Sequence, residues 1–146
     1  EQIVISGEAL DVKRVCDKAL GQGAKKTIPL KVSGAFHSQL MSSASEGLVE
    51  AVDRLDFKNP SVPIVANCTG KPLSTSDELK GELITQISSC VHWSRSIQYM
   101  IEVGVSWFIE IGPGRTLSSM VKRIDGSVKI DSVSDMTSIV KLRRNS

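Results

Sequence analysis

The sequence predicts an α/β fold with a largely parallel sheet. Three observations lead to this prediction: short β-branched runs alternate with amphipathic segments, glycine-containing turns separate them, and the chain of 146 residues is long enough to bury one core. Apolar residues make up 40% of the chain and charged residues 23%, which is typical of a soluble globular protein.

The beginning of the chain is predicted to form a strand, a helix and a second strand. QIVISG, at residues 2–7, is β-branched and ends in glycine, which indicates a strand and a turn. Residues 8–23 carry apolar side chains at helical spacing and end in the sequence GQG, which indicates a helix and its C-terminal cap. KKTIPLKVSG, at residues 25–34, indicates another strand, in which the proline favours an edge or a strand end.

A long helix, a buried strand and a shorter helix are predicted next. Residues 38–55 present one apolar face. That face comprises Leu40, Ala44, Leu48, Ala51, Val52 and Leu55. IVANCTG, at residues 64–70, indicates the buried strand, and Ser76 or Asp77 is a suitable cap for the helix that follows.

The last third of the chain repeats the alternation of helices and strands. Residues 93–104 indicate a helix that glycine ends, and residues 106–126 indicate a strand, a glycine turn and a helix. Residues 128–130, VKI, predict one more strand, and a final helix is expected beyond Ser134.

Charge and cysteine content exclude several classes of function. The net charge of +2 is too small to indicate nucleic-acid binding, and short groups of lysine and arginine are typical of a solvated surface, the alternative being a basic patch for an acidic partner. Cys16, Cys68 and Cys90 are widely spaced, which indicates neither a zinc site nor a disulfide framework and favours a reducing compartment. No apolar run approaches the roughly 18 residues that a membrane span needs.

His37 is the strongest candidate for chemistry. It lies between a strand-like run and the predicted helix at residues 38–55, where the positive end of the helix dipole would keep the imidazole neutral and available as a base. The alternative is a partly buried histidine with its hydrogen bonds satisfied. His92, with no acidic residue close in sequence, is interpreted as structural or exposed.

Two glycine motifs do not indicate a phosphate site. GQG at residues 21–23 follows a helix, and IGPGRTL at residues 111–117 lacks the spacing of the known phosphate-binding loops, so a helix cap and a tight turn are predicted. No Gly-x-Ser-x-Gly nucleophile elbow occurs in the chain.

Four motifs, in order and covering nearly the whole chain, resemble those of the malonyl-CoA:acyl carrier protein transacylase family. They are LKVSGAFHSQLM (30–41), FKNPSVPIVANCTG (57–70), ITQISSCVHWSRSIQYM (84–100) and FIEIGPGRTLSSMVKRI (108–124). The resemblance implies an α/β-hydrolase-like large subdomain with an inserted ferredoxin-like small subdomain. Residues 1–32 would be the second half of the small subdomain, and residues 33–146 the C-terminal part of the large one.

The implied reaction transfers a malonyl group from malonyl-CoA to the phosphopantetheine thiol of acyl carrier protein through a malonyl-serine, in fatty acid biosynthesis. On this resemblance His37 is the general base and acid, and the main-chain carbonyl of Gln86 orients it. Phe36 resembles the residue that precedes the histidine in malonyl-selective members of the family. Its bulky ring would leave less room for the extra methyl group of methylmalonyl. No metal or other cofactor is implied, and neither nucleic acid nor a membrane is expected as a partner.

Two departures from the family pattern limit what the chain does alone. Cys90 and His92, in SSCVHW, stand where the family commonly has proline and glutamine. The nucleophilic serine, the oxyanion glutamine and the arginine that pairs with the malonyl carboxylate belong to earlier family sequence, so an inactive C-terminal portion is expected, with the N-terminal part of the same enzyme as partner. The expected location is the cytoplasm, or the mitochondrial or plastid matrix.

Two alternatives remain open at this point. One is an acyltransferase domain of a polyketide or multienzyme synthase. The other is a non-catalytic module that docks an acidic carrier protein through Lys122, Arg123 and the basic residues near the end of the chain.

Overall fold

A computed structural model describes residues 2–145 and divides the chain into two compact units, one ending at Val91 and the other beginning at His92. The first unit contains helix α1 (Ala9–Gly21), a 3-10 helix (Gln39–Met41), helix α2 (Ser42–Asp53), strands β1 (Ile64–Val65) and β2 (Pro72–Leu73), and helix α3 (Ser76–Gln86). The second contains helix α4 (Trp93–Glu102), strand β3 (Trp107–Ile111), helix α5 (Thr116–Ile124), strand β4 (Lys129–Val133) and helix α6 (Met136–Asn145). This mixed content confirms the predicted α/β class.

The helix predicted at residues 8–23 is confirmed as α1, and GQG is its C-terminal cap. The Ala24 N–H donates to Ala19 O at 2.9 Å and the Gly23 N–H to Leu20 O at 3.1 Å, which is the bond pattern of a Schellman motif. Gly23 has φ +96°, a left-handed conformation that a side chain would strain.

The two strands predicted at residues 2–7 and 25–34 are wrong for this structure, since both segments lack a hydrogen-bonded ladder. A β-branched composition favours an extended backbone, but a strand also needs a neighbouring strand to bond with. The large aliphatic residues of these segments stay 42–77% exposed. They are Ile3, Val4, Ile5, Ile28, Leu30 and Val32.

The middle of the first unit has shorter helices and strands than predicted. A 3-10 turn and α2 replace the single helix expected over residues 38–55, and β1 covers only two residues of IVANCTG, paired antiparallel with β2. Thr75, rather than Ser76 or Asp77, caps α3. Its hydroxyl accepts from the Glu78 N–H at 3.2 Å while the Glu78 carboxylate accepts from the Thr75 N–H at 3.0 Å, so a capping box fixes the start of the helix.

The second unit is a β-α-β arrangement and confirms the strands and helices predicted for the last third of the chain. Strands β3 and β4 pair in parallel with Trp107 opposite Lys129 and Ile111 opposite Val133, and α5 is the crossover between them. Its core consists of Ile97, Val121 and Val128, which are 1%, 4% and 6% exposed. The prediction of a largely parallel sheet therefore holds for this pair of strands and not for β1 and β2.

Candidate active site

His37 lies in a tight turn and has an unusual backbone conformation. Its φ of 63° makes it the one non-glycine residue among residues 2–145 with positive φ. A non-glycine residue in this region costs of order 1–3 kcal/mol and persists where surrounding contacts fix it. The backbone of His37 is therefore expected to be held in this conformation by contacts with the surrounding residues.

Those contacts are two hydrogen bonds to the C-terminal end of α3. The His37 side-chain Nδ1 lies 2.7 Å from the Gln86 carbonyl oxygen, and the His37 backbone N–H donates to the Ile87 carbonyl at 2.8 Å. Because a carbonyl only accepts, Nδ1 must carry the proton. In the neutral imidazole the other ring nitrogen, Nε2, is then unprotonated and able to accept a proton, as a general base does.

The helix end explains why these carbonyls are available. The last four carbonyls of an α-helix have no partner within it, and they carry the negative end of the helix dipole. A 3-10 turn, Gln39–Met41, lies between His37 and the start of α2 at Ser42. The imidazole contacts the C-terminal end of α3 through the Gln86 carbonyl.

A polar network behind Gln86 was not predicted. Glu82 Oε1 accepts from the backbone N–H groups of Asn67 at 2.6 Å and Cys68 at 3.0 Å, and Asn67 Nδ2 donates to Gln86 Oε1 at 2.9 Å. Glu82 and Gln86 are four residues apart and share a helix face, a signal that the sequence does contain. Nothing in the sequence pairs Asn67 with that face.

Cys68 is held in the same network as a protonated thiol. Burial, the negative charge of Glu82 and a hydrogen bond to Glu82 raise the pKa of this thiol to about 11. A thiol with so high a pKa is a poor nucleophile near neutral pH.

Phe36 lies next to His37 in sequence, with its ring folded back over Gly34. A Cβ placed on Gly34 would lie 3.1 Å from the Phe36 ring, which is closer than ordinary van der Waals contact. The Phe36 side chain remains 46% exposed. The absence of a side chain at Gly34 therefore leaves the space that the Phe36 ring occupies.

The other motifs do not contribute to the site around His37. His92 precedes α4, where its carbonyl accepts from the backbone N–H and the hydroxyl of Ser96, in keeping with the structural interpretation. At IGPGRTL the carboxylate of the preceding residue, Glu110, accepts from the Leu117 and Ser118 N–H groups at 3.1 and 2.8 Å. The anion position at the start of α5 is thus filled by the protein itself, as expected for a structural turn.

Residues 2–145 provide neither a cluster of metal ligands nor a membrane-spanning helix. Residues 2–145 contain no group of three or more histidine, cysteine, aspartate or glutamate side chains arranged to hold a metal ion. Within the same range no helix has the length and apolar character to cross a membrane.

Comparison with known proteins gives a consistent result. The chain is 44% identical over 138 residues to the malonyl CoA-acyl carrier protein transacylase of Bacillus subtilis, covering 94% of the chain and 44% of that protein. No protein-family model matches the chain.

Two solved structures have the same fold as the chain. The transacylase of Streptococcus pneumoniae superimposes with a TM-score of 0.89 at 37% identity, covering 96% of the chain and 46% of that protein. A malonyl-transacylase in complex with a type II polyketide acyl-carrier protein gives a TM-score of 0.91 at 31% identity. The match covers 96% of the present chain and 45% of the matched structure's chain.

The chain spans less than half the length of these relatives. The resemblance read from the four motifs is confirmed over nearly the whole chain, by sequence and by fold. We conclude that the chain is homologous to the C-terminal portion of the malonyl CoA-acyl carrier protein transacylases.

Proposed function

We propose that the protein containing this chain transfers a malonyl group from malonyl-CoA to the phosphopantetheine thiol of acyl carrier protein, with His37 as general base and acid. The observation that carries the proposal is the bond from His37 Nδ1–H to the Gln86 carbonyl, 2.7 Å long, in a chain homologous to such transacylases. That bond leaves Nε2 free to accept a proton.

The proposed reaction has two halves. A serine supplied by sequence outside these residues attacks the thioester, while Nε2 of His37 takes the hydroxyl proton and then gives it to the departing thiol of coenzyme A. In the second half, Nε2 takes the proton of the carrier thiol as that sulfur attacks the ester, and returns it to the serine. Positive charge on the ring is stabilised in both halves by the carbonyls at the end of α3.

We further propose that residues 33–146 complete an α/β-hydrolase-like subdomain and that residues 1–32 complete a ferredoxin-like one. The exposed apolar side chains within residues 3–5 and at positions 28, 30 and 32 support this, because extended apolar segments need strands to pair with. The N-terminal part of the same enzyme is the proposed partner, and neither a metal nor an organic cofactor takes part in the proposed reaction.

Phe36 is proposed to favour malonyl over methylmalonyl. Phe36 directly precedes His37 in sequence and its ring lies over Gly34. A single methyl group is worth about 1–3 kcal/mol where a side chain restricts the space for the acyl group. Replacing Phe36 with serine is expected to lower the ratio of malonyl to methylmalonyl transfer.

The test is acylation and turnover of the full-length protein with the His37→Ala change and, as a matched control, His92→Ala. Brief exposure to malonyl-CoA is expected to add one malonyl group to the unmodified protein, as seen in the intact mass. His37→Ala is expected to lower transfer to carrier protein about 10²- to 10⁴-fold, the usual contribution of a general base, and His92→Ala to leave it near normal.

Normal transfer by the His37→Ala protein would refute the assignment of His37. Binding of carrier protein without any acyl adduct would instead favour the docking module. The two transferase alternatives are a fatty-acid enzyme and an acyltransferase of a polyketide or multienzyme synthase. They are separated by comparing fatty-acid with polyketide carrier proteins as acceptors. The similarity to a transacylase bound to a polyketide carrier is the reason for including the second acceptor.

A further inference from the structure

The Gln86 carbonyl belongs to the last residue of α3, where a helix is least constrained. Helix ends fray because their final carbonyls have no partner within the helix. The hydrogen bond to His37 joins residues 49 positions apart, so its length depends on where the end of α3 is held. Something other than the helix must fix that end.

The structure contains such a restraint on the side chain of the same residue. Asn67 Nδ2 donates to Gln86 Oε1 at 2.9 Å. Asn67 is itself held from α3, because Glu82 Oε1 accepts from its backbone N–H at 2.6 Å and from the Cys68 N–H at 3.0 Å. Two side chains on one helix face therefore hold the segment after β1, one by its main chain and one by its amide.

The main chain next to Asn67 is itself fixed by burial and by backbone hydrogen bonds. Ala66 is 1% exposed, its N–H donates to the Lys71 carbonyl at 2.8 Å, and its carbonyl accepts from the Gly70 N–H at 3.0 Å. The turn between β1 and β2 thus fixes the main chain next to Asn67. A shift at Gln86 has to break the bond to Asn67 first.

We propose that Asn67 and Glu82 are positioning residues for His37, an inference that rests on the proposed function. They hold the Gln86 carbonyl where it accepts from Nδ1–H, and so maintain the tautomer in which Nε2 is unprotonated. If the carbonyl moves away, the proton can reside on either nitrogen, and molecules with the proton on Nε2 cannot act as the base. The Gln86 side chain then matters as well as its main chain.

The experiment uses the full-length enzyme and two readouts. The tautomer of His37 is measured from the ¹⁵N shifts of its ring nitrogens, and kcat and KM are measured for malonyl transfer. Asn67→Leu removes the amide donor at similar size. Asn59→Leu is the matched control, because Asn59 Oδ1 accepts from the Ser76 N–H at 2.8 Å, at the other end of the same helix.

Asn67→Leu is expected to lower the fraction of the Nδ1–H tautomer and to lower kcat roughly two- to tenfold, the range for one neutral hydrogen bond, with KM for malonyl-CoA unchanged. Asn59→Leu is expected to change neither readout. Glu82→Ala should act like Asn67→Leu, and Glu82→Gln should recover most of that loss because its amide oxygen still accepts from both N–H groups.

Gln86→Leu provides an independent route to the same bond, since it keeps the main-chain carbonyl. It is expected to match Asn67→Leu, and the double variant should be no worse than either alone. It also decides the matter if Asn67→Leu does not fold.

Unchanged tautomer and kcat in Asn67→Leu and Gln86→Leu would overturn the inference, and so would a changed tautomer with normal kcat. Failure of the proposed function is recognised separately, by normal malonyl transfer in the His37→Ala protein.

Discussion

The thiol of Cys68 offers a direct test of the contacts behind Gln86. Burial is the largest cause of its raised pKa, followed by the charge of Glu82 and a hydrogen bond to Glu82, which together bring it from 9.0 to about 11. The thiolate is the species that reacts with an alkylating reagent. The reaction rate of Cys68 therefore reports on the position of Glu82.

The expected rate follows from two opposing effects. A pKa higher by about two units lowers the thiolate fraction at pH 8 about 100-fold. A more basic thiolate is also more nucleophilic, with a Brønsted coefficient of about 0.4–0.5, which returns about six- to tenfold. The thiolate fraction is the larger effect, so Cys68 is expected to react at least about tenfold more slowly than an exposed thiol of ordinary pKa.

The assay follows alkylation of each cysteine by iodoacetamide with mass spectrometry. For Cys68 the logarithm of the rate should rise by one unit per pH unit from about pH 7.5 to 9.5, without a plateau, because the titration lies above this window. Glu82→Gln should increase the rate, since it removes the negative charge that disfavours the thiolate, although burial still opposes ionisation. Cys16, half-buried on α1, serves as the reference and should be unaffected.

A plateau for Cys68 near pH 9 in the unmodified protein would refute the raised pKa. An unchanged rate in the Glu82→Gln protein would mean that Glu82 does not lie against the Asn67–Cys68 segment.

Two predictions concern stability, each measured as the free energy of unfolding in denaturant. Gly23→Ala should cost about 1–2 kcal/mol because φ is +96° at this position. Gly21→Ala is the control and should be neutral or stabilising, because Gly21 is the last residue of α1 and has open space around it. Equal values for the two variants would contradict the Schellman cap. Ile97→Ala should cost about 2–5 kcal/mol and Ile97→Val about 0.5–1.5 kcal/mol, since Ile97 is 1% exposed at the centre of its core; similar costs for both would show that this core is not packed as described.

Local patterns were sufficient for part of the fold. Helices α1, α4 and α5 and strands β3 and β4 were predicted because apolar spacing, glycine stops and the strand–glycine–helix order are properties of neighbouring residues. The motifs were also sufficient to recognise the relatives, since they depend on residue order alone.

The expected strands at residues 2–7 and 25–34 show where local patterns fail. Their composition favours an extended backbone, but pairing depends on residues distant in sequence. The same limit applies to the left-handed conformation of His37, which tertiary hydrogen bonds maintain against its intrinsic cost.

The sequence by itself therefore determined the class of fold, the likeness to the transacylases, and His37 as the residue to test. Only the tertiary structure decided which helix end faces the imidazole, that Asn67 and Glu82 hold Gln86, and that Cys68 is a protonated thiol. The physical reason is that hydrogen bonds and electrostatic interactions depend on distance in space, and folding brings together groups as far apart in sequence as His37 and Ile87.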